Sequence, residues 1–241
     1  MTDLSIVIPA KNEAENLPAL IDEIVVALSG EPDFEVIVVD DGSTDGTAQA
    51  LLAARARFPM LRVLRHETSG GQSAAVHSGV RAARGAIIAT LDGDGQNPPA
   101  NLPALIAPLR AAGAGRIGIV AGQRVARQDT LSKRLASRFA NALRGAMLDD
   151  GTRDTGCGLK AFRREAFLEL PFFNHMHRYL PALFKRDGWT VAHVDVTHRG
   201  RGAGRSNYSN LQRALVGIVD LFGVMWLIRR RKTATPRDLS E

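Results

Sequence analysis

Short apolar runs alternate with stretches of helical periodicity through the first half of the chain. Leu4 to Ile8, Glu35 to Val39, Arg62 to Arg65, Ala86 to Leu91 and Ile117 to Gly122 read as strands: short, rich in β-branched residues and bounded by turn formers. Between them Glu13 to Leu28, Thr44 to Phe58 and Gln72 to Ala83 carry helical patterns, with a shorter one near Asn101 to Ala112. This alternation predicts βαβ units: an α/β fold of Rossmann-like type, a mainly parallel sheet with helices on both faces. Lys11 or Asn12 is placed to cap the first helix and Ser43 the second.

Downstream the pattern loosens. Gln128 to Leu148 reads as a basic loop running into a helix, Arg163 to Leu170 and Tyr179 to Asp187 as short helices, and Thr190 to Val196 as a strand. Glycines and arginines alternate from Gly200 to Gly204, the composition of a loop. The regular units end near Gly122, so residues 1–122 and 123–212 are expected to be two halves of one domain, with 213–241 as an apolar helix and basic tail. In that tail Ala214 to Ile228 has Asp220 as its only charge and runs into Arg229-Arg230-Arg231-Lys232. It falls short of the roughly 20 apolar residues of a spanning helix. Trp226 beside four cations predicts a short amphipathic, interfacial helix on an anionic cytoplasmic leaflet. A buried core helix, or one pairing with a small membrane-protein partner, is the alternative.

Composition narrows the classes. The chain has 241 residues, 45% hydrophobic and 23% charged, which suits a globular domain with its own core and excludes wholesale disorder. The single cysteine, Cys157, cannot form an internal disulfide, and no cysteine–histidine cluster has zinc spacing. A reducing compartment is therefore expected. Asp3, followed by an apolar run too short for a signal-peptide core, gives no expectation of a secretory leader. The 31 Lys and Arg against 25 Asp and Glu give +6, an attraction toward anions. Nucleic acid is the poorest candidate, because aromatic residues are only 5% and no basic–aromatic interleaving occurs.

Asp92-Gly93-Asp94-Gly95-Gln96 follows the apolar run ending at Leu91, at the carboxyl end of an expected strand, where open α/β sheets bind ligands. Two carboxylates one residue apart can share a hard cation whose other ligands are phosphate oxygens; a solvated turn uses the same letters. Asp40-Asp41 ends another strand and runs into Gly42-Ser43-Thr44-Asp45-Gly46. An acid there can accept from base N–H or ribose hydroxyl groups, a role given mainly to Asp40, whereas Asp41 also suits an Asx turn and helix cap. His175 and His177 have no third metal ligand nearby and read as a segment bordering an acceptor entrance or packing locally. His66 and His77 read as structural, and Cys157 as a small buried residue.

In this order, Ile8-Pro9-Ala10-Lys11-Asn12-Glu13, Val39 to Thr47, Gly71-Gln72-Ser73-Ala74-Ala75 and Asp92 to Gln96 resemble glycosyltransferase family 2. The later Gly122-Gln123-Arg124, Lys133-Arg134 with Ser137, Asp154 to Leu159 and His198 to Tyr208 resemble its polyprenyl-phosphate sugar transferases, the dolichol-phosphate mannose synthase group. The resemblance implies a GT-A fold and inverting transfer of a sugar from a nucleotide-sugar donor, of GDP-mannose or UDP-glucose type, to a membrane polyprenyl or dolichyl phosphate. It implies Mg²⁺ or Mn²⁺ as cofactor. By the same resemblance Pro9, Glu13 and Asp40 line the nucleoside pocket, Asn12 and Asp41 are further substrate-binding residues, and Asp92, Asp94 and Gln96 surround the metal and diphosphate. Arg124, Arg134 and Ser137 face the acceptor phosphate, Arg201 closes over the site, Ser206 binds substrate, and Asp154 acts as base or orients the acceptor, so that Asp154, Arg124 and Arg201 form the expected catalytic set. The chain departs from the family in having Asp-Gly-Asp where Asp-Ala-Asp is common and Asn207 where Lys is frequent; Lys133 or Arg138 is able to hold the place of Arg134.

A phosphate acceptor makes chemical sense of these cations. A phosphate monoester, with a second pKa of about 6, is mostly dianionic at neutral pH and hardly needs a base. Guanidinium groups can hold it beside an acidic donor site that would otherwise repel it. Asp154 then contributes orientation as much as proton removal: activity kept within about tenfold in Asp154→Asn, roughly 1.4 kcal/mol of barrier, would exclude an essential base. A hydroxyl acceptor on a glycan or lipid reverses this, making Asp154 obligatory and the arginines dispensable. A non-catalytic module binding nucleic acid or anionic membrane has only the +6 charge in its favour. The expected location is cytoplasmic, peripherally associated with the inner face of the membrane; the sugar is left open.

Overall fold

The computed structural model describes residues 2–31, 33–111, 113–125, 144–145, 147–200, 210–232, 234 and 237. Arg134, Ser137, Arg201, Ser206 and most of the expected basic loop and helix of 128–148 lie outside them. Strands β1 (Leu4–Ala10), β2 (Phe34–Asp40), β3 (Leu61–Arg65), β4 (Ile87–Thr90), β5 (Ile117–Arg124), β6 (Lys160–Arg163) and β7 (Thr190–Val196) form one seven-stranded sheet in the order β3-β2-β1-β4-β6-β5-β7. All neighbours are parallel except β6, which runs antiparallel to both β4 and β5.

Alternation along β1 and β2 explains why helices cover both faces. Leu4, Ile6 and Ile8 with Val36 and Val38 join a core with α1 (Leu17–Ala27), α2 (Thr47–Arg57) and α4 (Leu102–Arg110). Val7, Ile37 and Val39 join the opposite core, with α3 (Gln72–Ala82), α5 (Arg164–Leu168), α6 (Leu180–Arg186) and α7 (Asn210–Arg230). α3 lies so close to β1 that a Cβ on Gly79 would fall 2.4 Å from Val7 Cγ1.

The expected helix caps are corrected by the structure. α1 starts at Leu17, and neither Lys11 nor Asn12 caps it: Asn12 has a φ of 57°, and its Oδ1 accepts from Thr44 N at 2.9 Å. α2 starts at Thr47 after Gly46, while Ser43 Oγ accepts from Asn12 N at 2.9 Å. The polar residues that resemble caps instead staple the loop after β1 to the loop after β2. β6 escapes the sequence pattern, being four residues with no alternation and a basic residue at each end. The division at 122/123 lies inside β5, whose partners β6 and β7 both come later in the chain.

α7 extends beyond the apolar stretch to 21 residues, about 30 Å. One side packs on the domain through buried Val224 and partly buried Leu221, Met225 and Ile228. There Asp220 Oδ2 meets His175 Nδ1 at 3.0 Å, and Tyr179 Oη donates to Gly217 O at 3.1 Å. Ile218, Val219, Phe222 and Trp226 stay exposed, with the Arg230 guanidinium over the Trp226 ring. Among the described residues no helix is long and apolar enough to cross a membrane.

Candidate active site

The carboxyl ends of β1 and β4 open, beside the end of β2, into a cavity of about 1070 Å³. Its wall takes Pro9 to Glu13, Asp41, Gln72, Leu91 to Asp94 and Gln96 from the first half, and Arg124, Thr155 to Gly158, Lys160, His177 and Arg178 from later elements.

After β4 the chain turns through Asp92-Gly93-Asp94-Gly95, with Gly95 at φ 71°. The Asp92 carboxylate is oriented by Gln72 Nε2 at 2.8 Å and Asn97 Nδ2 at 3.3 Å. It packs on Gly158, where a Cβ would fall 2.2 Å from Oδ2. Burial and then the nearby Asp94 carboxylate push Asp92 above the usual carboxylate range, against the opposing pull of Lys160 and Arg124. The Gln96 backbone N donates to Asp94 Oδ1 at 3.1 Å. Arg199 holds the turn from outside: Nε donates to Gly95 O at 2.6 Å, N to Gln96 O at 3.1 Å, and Nη2 pairs with Glu23 at 3.0 Å. Two mutually repelling carboxylates in a cavity wall fit a hard divalent cation. Among the described residues no group of three His, Cys, Asp or Glu could hold a metal. A donor set of two carboxylates completed by ligand oxygens is what Mg²⁺ commonly takes.

The two acids after β2 divide. Asp40 is fully buried and not part of the cavity wall: Oδ1 accepts from Ser43 N at 2.9 Å, and Oδ2 has no hydrogen bond among the described residues but lies 3.4 Å from Arg65 Nη1. Asp41 is in the wall, where Ser69 Oγ, His66 Nδ1, Gly70 N and Gly71 N meet its carboxylate at 2.6, 2.7, 2.8 and 2.8 Å. Burial alone would raise Asp41, but these partners outweigh it and hold the carboxyl below its usual range. His66, bonded also to Ser78 at 3.0 Å, buttresses this loop. Glu13 reaches the wall with its N donating to Thr47 Oγ1 at 3.0 Å and its Oε2 accepting from Asn16 at 2.6 Å.

Across the cavity Arg124 grips Asp154 with two bonds, Nε to Oδ2 at 2.5 Å and Nη2 to Oδ1 at 2.9 Å. Asp154 raises the Arg124 pKa. Gln123 Oε1 fixes the loop by accepting from Arg153 N at 2.9 Å and Asp154 N at 3.0 Å.

Lys160 was not among the sequence candidates, and His177 was read only as bordering an acceptor entrance or packing locally. β6 sets Lys160 between Thr90 of β4 and Ala121 of β5, with Nζ donating to Cys157 O; burial lowers its pKa. Ser73 Oγ lies 2.7 Å from His177 Nδ1 and accepts from His177 N at 3.3 Å. Burial, followed by the cations Lys160 and Arg178, holds His177 well below its usual pKa. The Gly71-Gln72-Ser73 motif was visible in the sequence, but its partners Asp92 and His177 lie 20 and 104 residues away. His77 packs near Phe167 and Phe172, and Cys157 is buried.

Residues 5–170 match the family described as glycosyl transferase family 2. A dodecaprenyl-phosphate galacturonate synthase of Rhizobium johnstonii is 33% identical over 232 residues, 94% of this chain and 68% of that protein. An undecaprenyl-phosphate 4-deoxy-4-formamido-L-arabinose transferase of Pectobacterium carotovorum is 35% identical over 215 residues, 87% of this chain and 64% of that protein. The chain thus spans about two thirds of the length of these relatives. Among solved structures, glucosyl-3-phosphoglycerate synthase of Mycobacterium tuberculosis, in complex with Mn²⁺, UDP and glucosyl-3-phosphoglycerate, has a TM-score of 0.72 at 22% identity, covering 94% of this chain and 80% of that one. The likeness is one of fold.

Proposed function

This chain belongs to glycosyl transferase family 2, and from that membership we propose that it transfers a sugar, with inversion, from a nucleotide diphosphate sugar to a polyprenyl phosphate. The observation that carries the reading is the Asp92–Asp94 pair, held in the wall of the cavity at the strand ends. The two relatives named for polyprenyl-phosphate substrates support the acceptor class.

Asp92 and Asp94 would hold Mg²⁺ or Mn²⁺, with Gln72 and Asn97 orienting Asp92 and Arg199 bracing the turn. When bound, the dication supplies Lewis-acid stabilisation of the departing diphosphate. Pro9, Asn12, Glu13 and Asp41 border the nucleoside end of the cavity, and Asp40 supports it from behind. A GDP-mannose and a UDP-glucose type of donor both suit this wall. Arg124 and Asp154 face the acceptor side as a pair, and Asp154, engaged by two guanidinium donors, orients rather than deprotonates. That favours an acceptor already ionised, a phosphate, over a sugar hydroxyl. Arg134, Ser137, Arg201 and Ser206 keep the roles the family resemblance gives them. The exposed Ile218, Val219, Phe222 and Trp226 of α7, with the basic run Arg229 to Lys232, suit peripheral attachment to the anionic inner face of the cytoplasmic membrane.

A thermal-shift panel of nucleotide sugars with and without Mn²⁺ tests the donor half: one nucleotide class should raise Tm only with metal, by mass action on the native state. Incubating that sugar, radiolabelled, with polyprenyl phosphate and Mn²⁺ should give an organic-extractable product. Absence of product across all sugars of the panel would sink the proposal.

A further inference from the structure

One buried cation in the cavity has no direct ion pair among the described residues, although the Asp92 and Asp154 carboxylates lie near enough to favour its charge. Lys160 is 5% exposed and lies in the cavity wall, where among the described residues Nζ donates to a single acceptor, the carbonyl oxygen of Cys157. Lys160 makes no ion pair among the described residues. The acids around it are engaged elsewhere: Asp154 holds Arg124 through both oxygens, and Asp92 accepts from Gln72 and Asn97. An ammonium carries three donors, so two N–H groups are left over beside the cavity. Buried charges are normally paired, because an unpaired one loses its hydration with nothing in return. A bond to one carbonyl does not require a charge, and a neutral donor on this strand would serve it.

We propose that Lys160 is a phosphate-binding residue, its ammonium receiving an oxyanion of a phosphorylated substrate between the Asp92–Asp94 pair and the Arg124–Asp154 pair. The ligand thus brings the direct ion pair that the described residues do not supply. This rests on the cavity being a site for phosphorylated substrates. The oxyanion belongs either to the donor diphosphate or to the acceptor monoester, chemically alike from the side of the lysine.

Calorimetric titration separates these sources. Wild type, Lys160→Met and Lys160→Gln are titrated with UDP and GDP, each with Mn²⁺, and with farnesyl phosphate; uridine and guanosine are phosphate-free controls. The expected result is at least tenfold weaker binding of the nucleoside diphosphate or of farnesyl phosphate by Lys160→Met, with nucleoside binding unchanged; the affected arm identifies the source. The ligand-free Tm of Lys160→Met should equal or exceed that of wild type, since a buried charge without a direct ion pair has been removed. A clear fall in that Tm would instead make the lysine a structural strut and overturn the proposal; Lys160→Gln, which keeps a donor for the Cys157 carbonyl, repeats the comparison should Lys160→Met not fold. Binding of all phosphate ligands within twofold of wild type by both variants overturns the inference alone. Failure of wild type to bind any of them overturns the functional reading with it.

Discussion

Asp41 gathers four partners on one carboxylate, and through them fixes the loop from Ser69 to Gly71 that leads into α3. Asp41→Ala leaves these groups without their acceptor, so a loss of roughly 2–4 kcal/mol is expected in denaturant unfolding. The pH dependence follows from the depressed carboxyl. Its stabilisation is fully present above the unfolded value of about 3.9 and is lost as pH falls through the lower folded value. The stability gap between wild type and Asp41→Asn should therefore close in acid; a gap of constant size from pH 7 to pH 2 would count against it. Arg124 and Asp154 should behave as one unit, with a coupling of roughly 1–3 kcal/mol in a double-mutant cycle of Arg124→Gln and Asp154→Asn. The acidic turn after β4 was legible because its chemistry is local: two carboxylates and two glycines in five residues. The division of labour between Asp40 and Asp41 was not, because adjacent residues at a strand end point in opposite directions and only the register decides which faces the cavity.

At the scale of elements, two close approaches govern how the cavity is assembled. Gly158 lets the turn after Asp154 lie against Asp92, and a methyl group there would displace the carboxylate. Gly158→Ala is expected to weaken Mn²⁺-dependent nucleotide binding about tenfold or more, ~1.4 kcal/mol, while Tm stays within a few degrees of wild type. Gly79→Ala does the reverse: the new methyl meets Val7 in the core between α3 and β1, and overpacking of this kind should lower stability by roughly 1–3 kcal/mol. The five early strands were legible because each is a short run ending in turn residues. The caps were misread for a physical reason, since Asn12 and Ser43 carry the same acceptor oxygens whether they start a helix or tie two loops together. β6 left no periodic trace: Ala161 and Phe162 are both wholly buried and so show no alternation, and Lys160 and Arg163 look like surface residues until the sheet is assembled around them.

For the molecule as a whole, α7 divides its sides between domain and surroundings. Replacing Phe222 and Trp226 together by Ser should cut co-sedimentation with anionic vesicles severalfold and leave transfer to a short, detergent-soluble isoprenyl phosphate unchanged, since neither side chain lines the cavity. Equal sedimentation of variant and wild type would assign that face another role. The reversed strand has a consequence in time rather than space. β6 fills the place between β4 and β5, so the middle of the sheet cannot close until residues 160–163 have emerged from the ribosome. Until then the nascent chain carries β4, four buried residues Ile87–Thr90, with one edge unpaired. An open apolar edge is a template for pairing with another chain. Synthesis halted before residue 160 is therefore expected to leave a fragment with an open, aggregation-prone edge at the centre of its sheet.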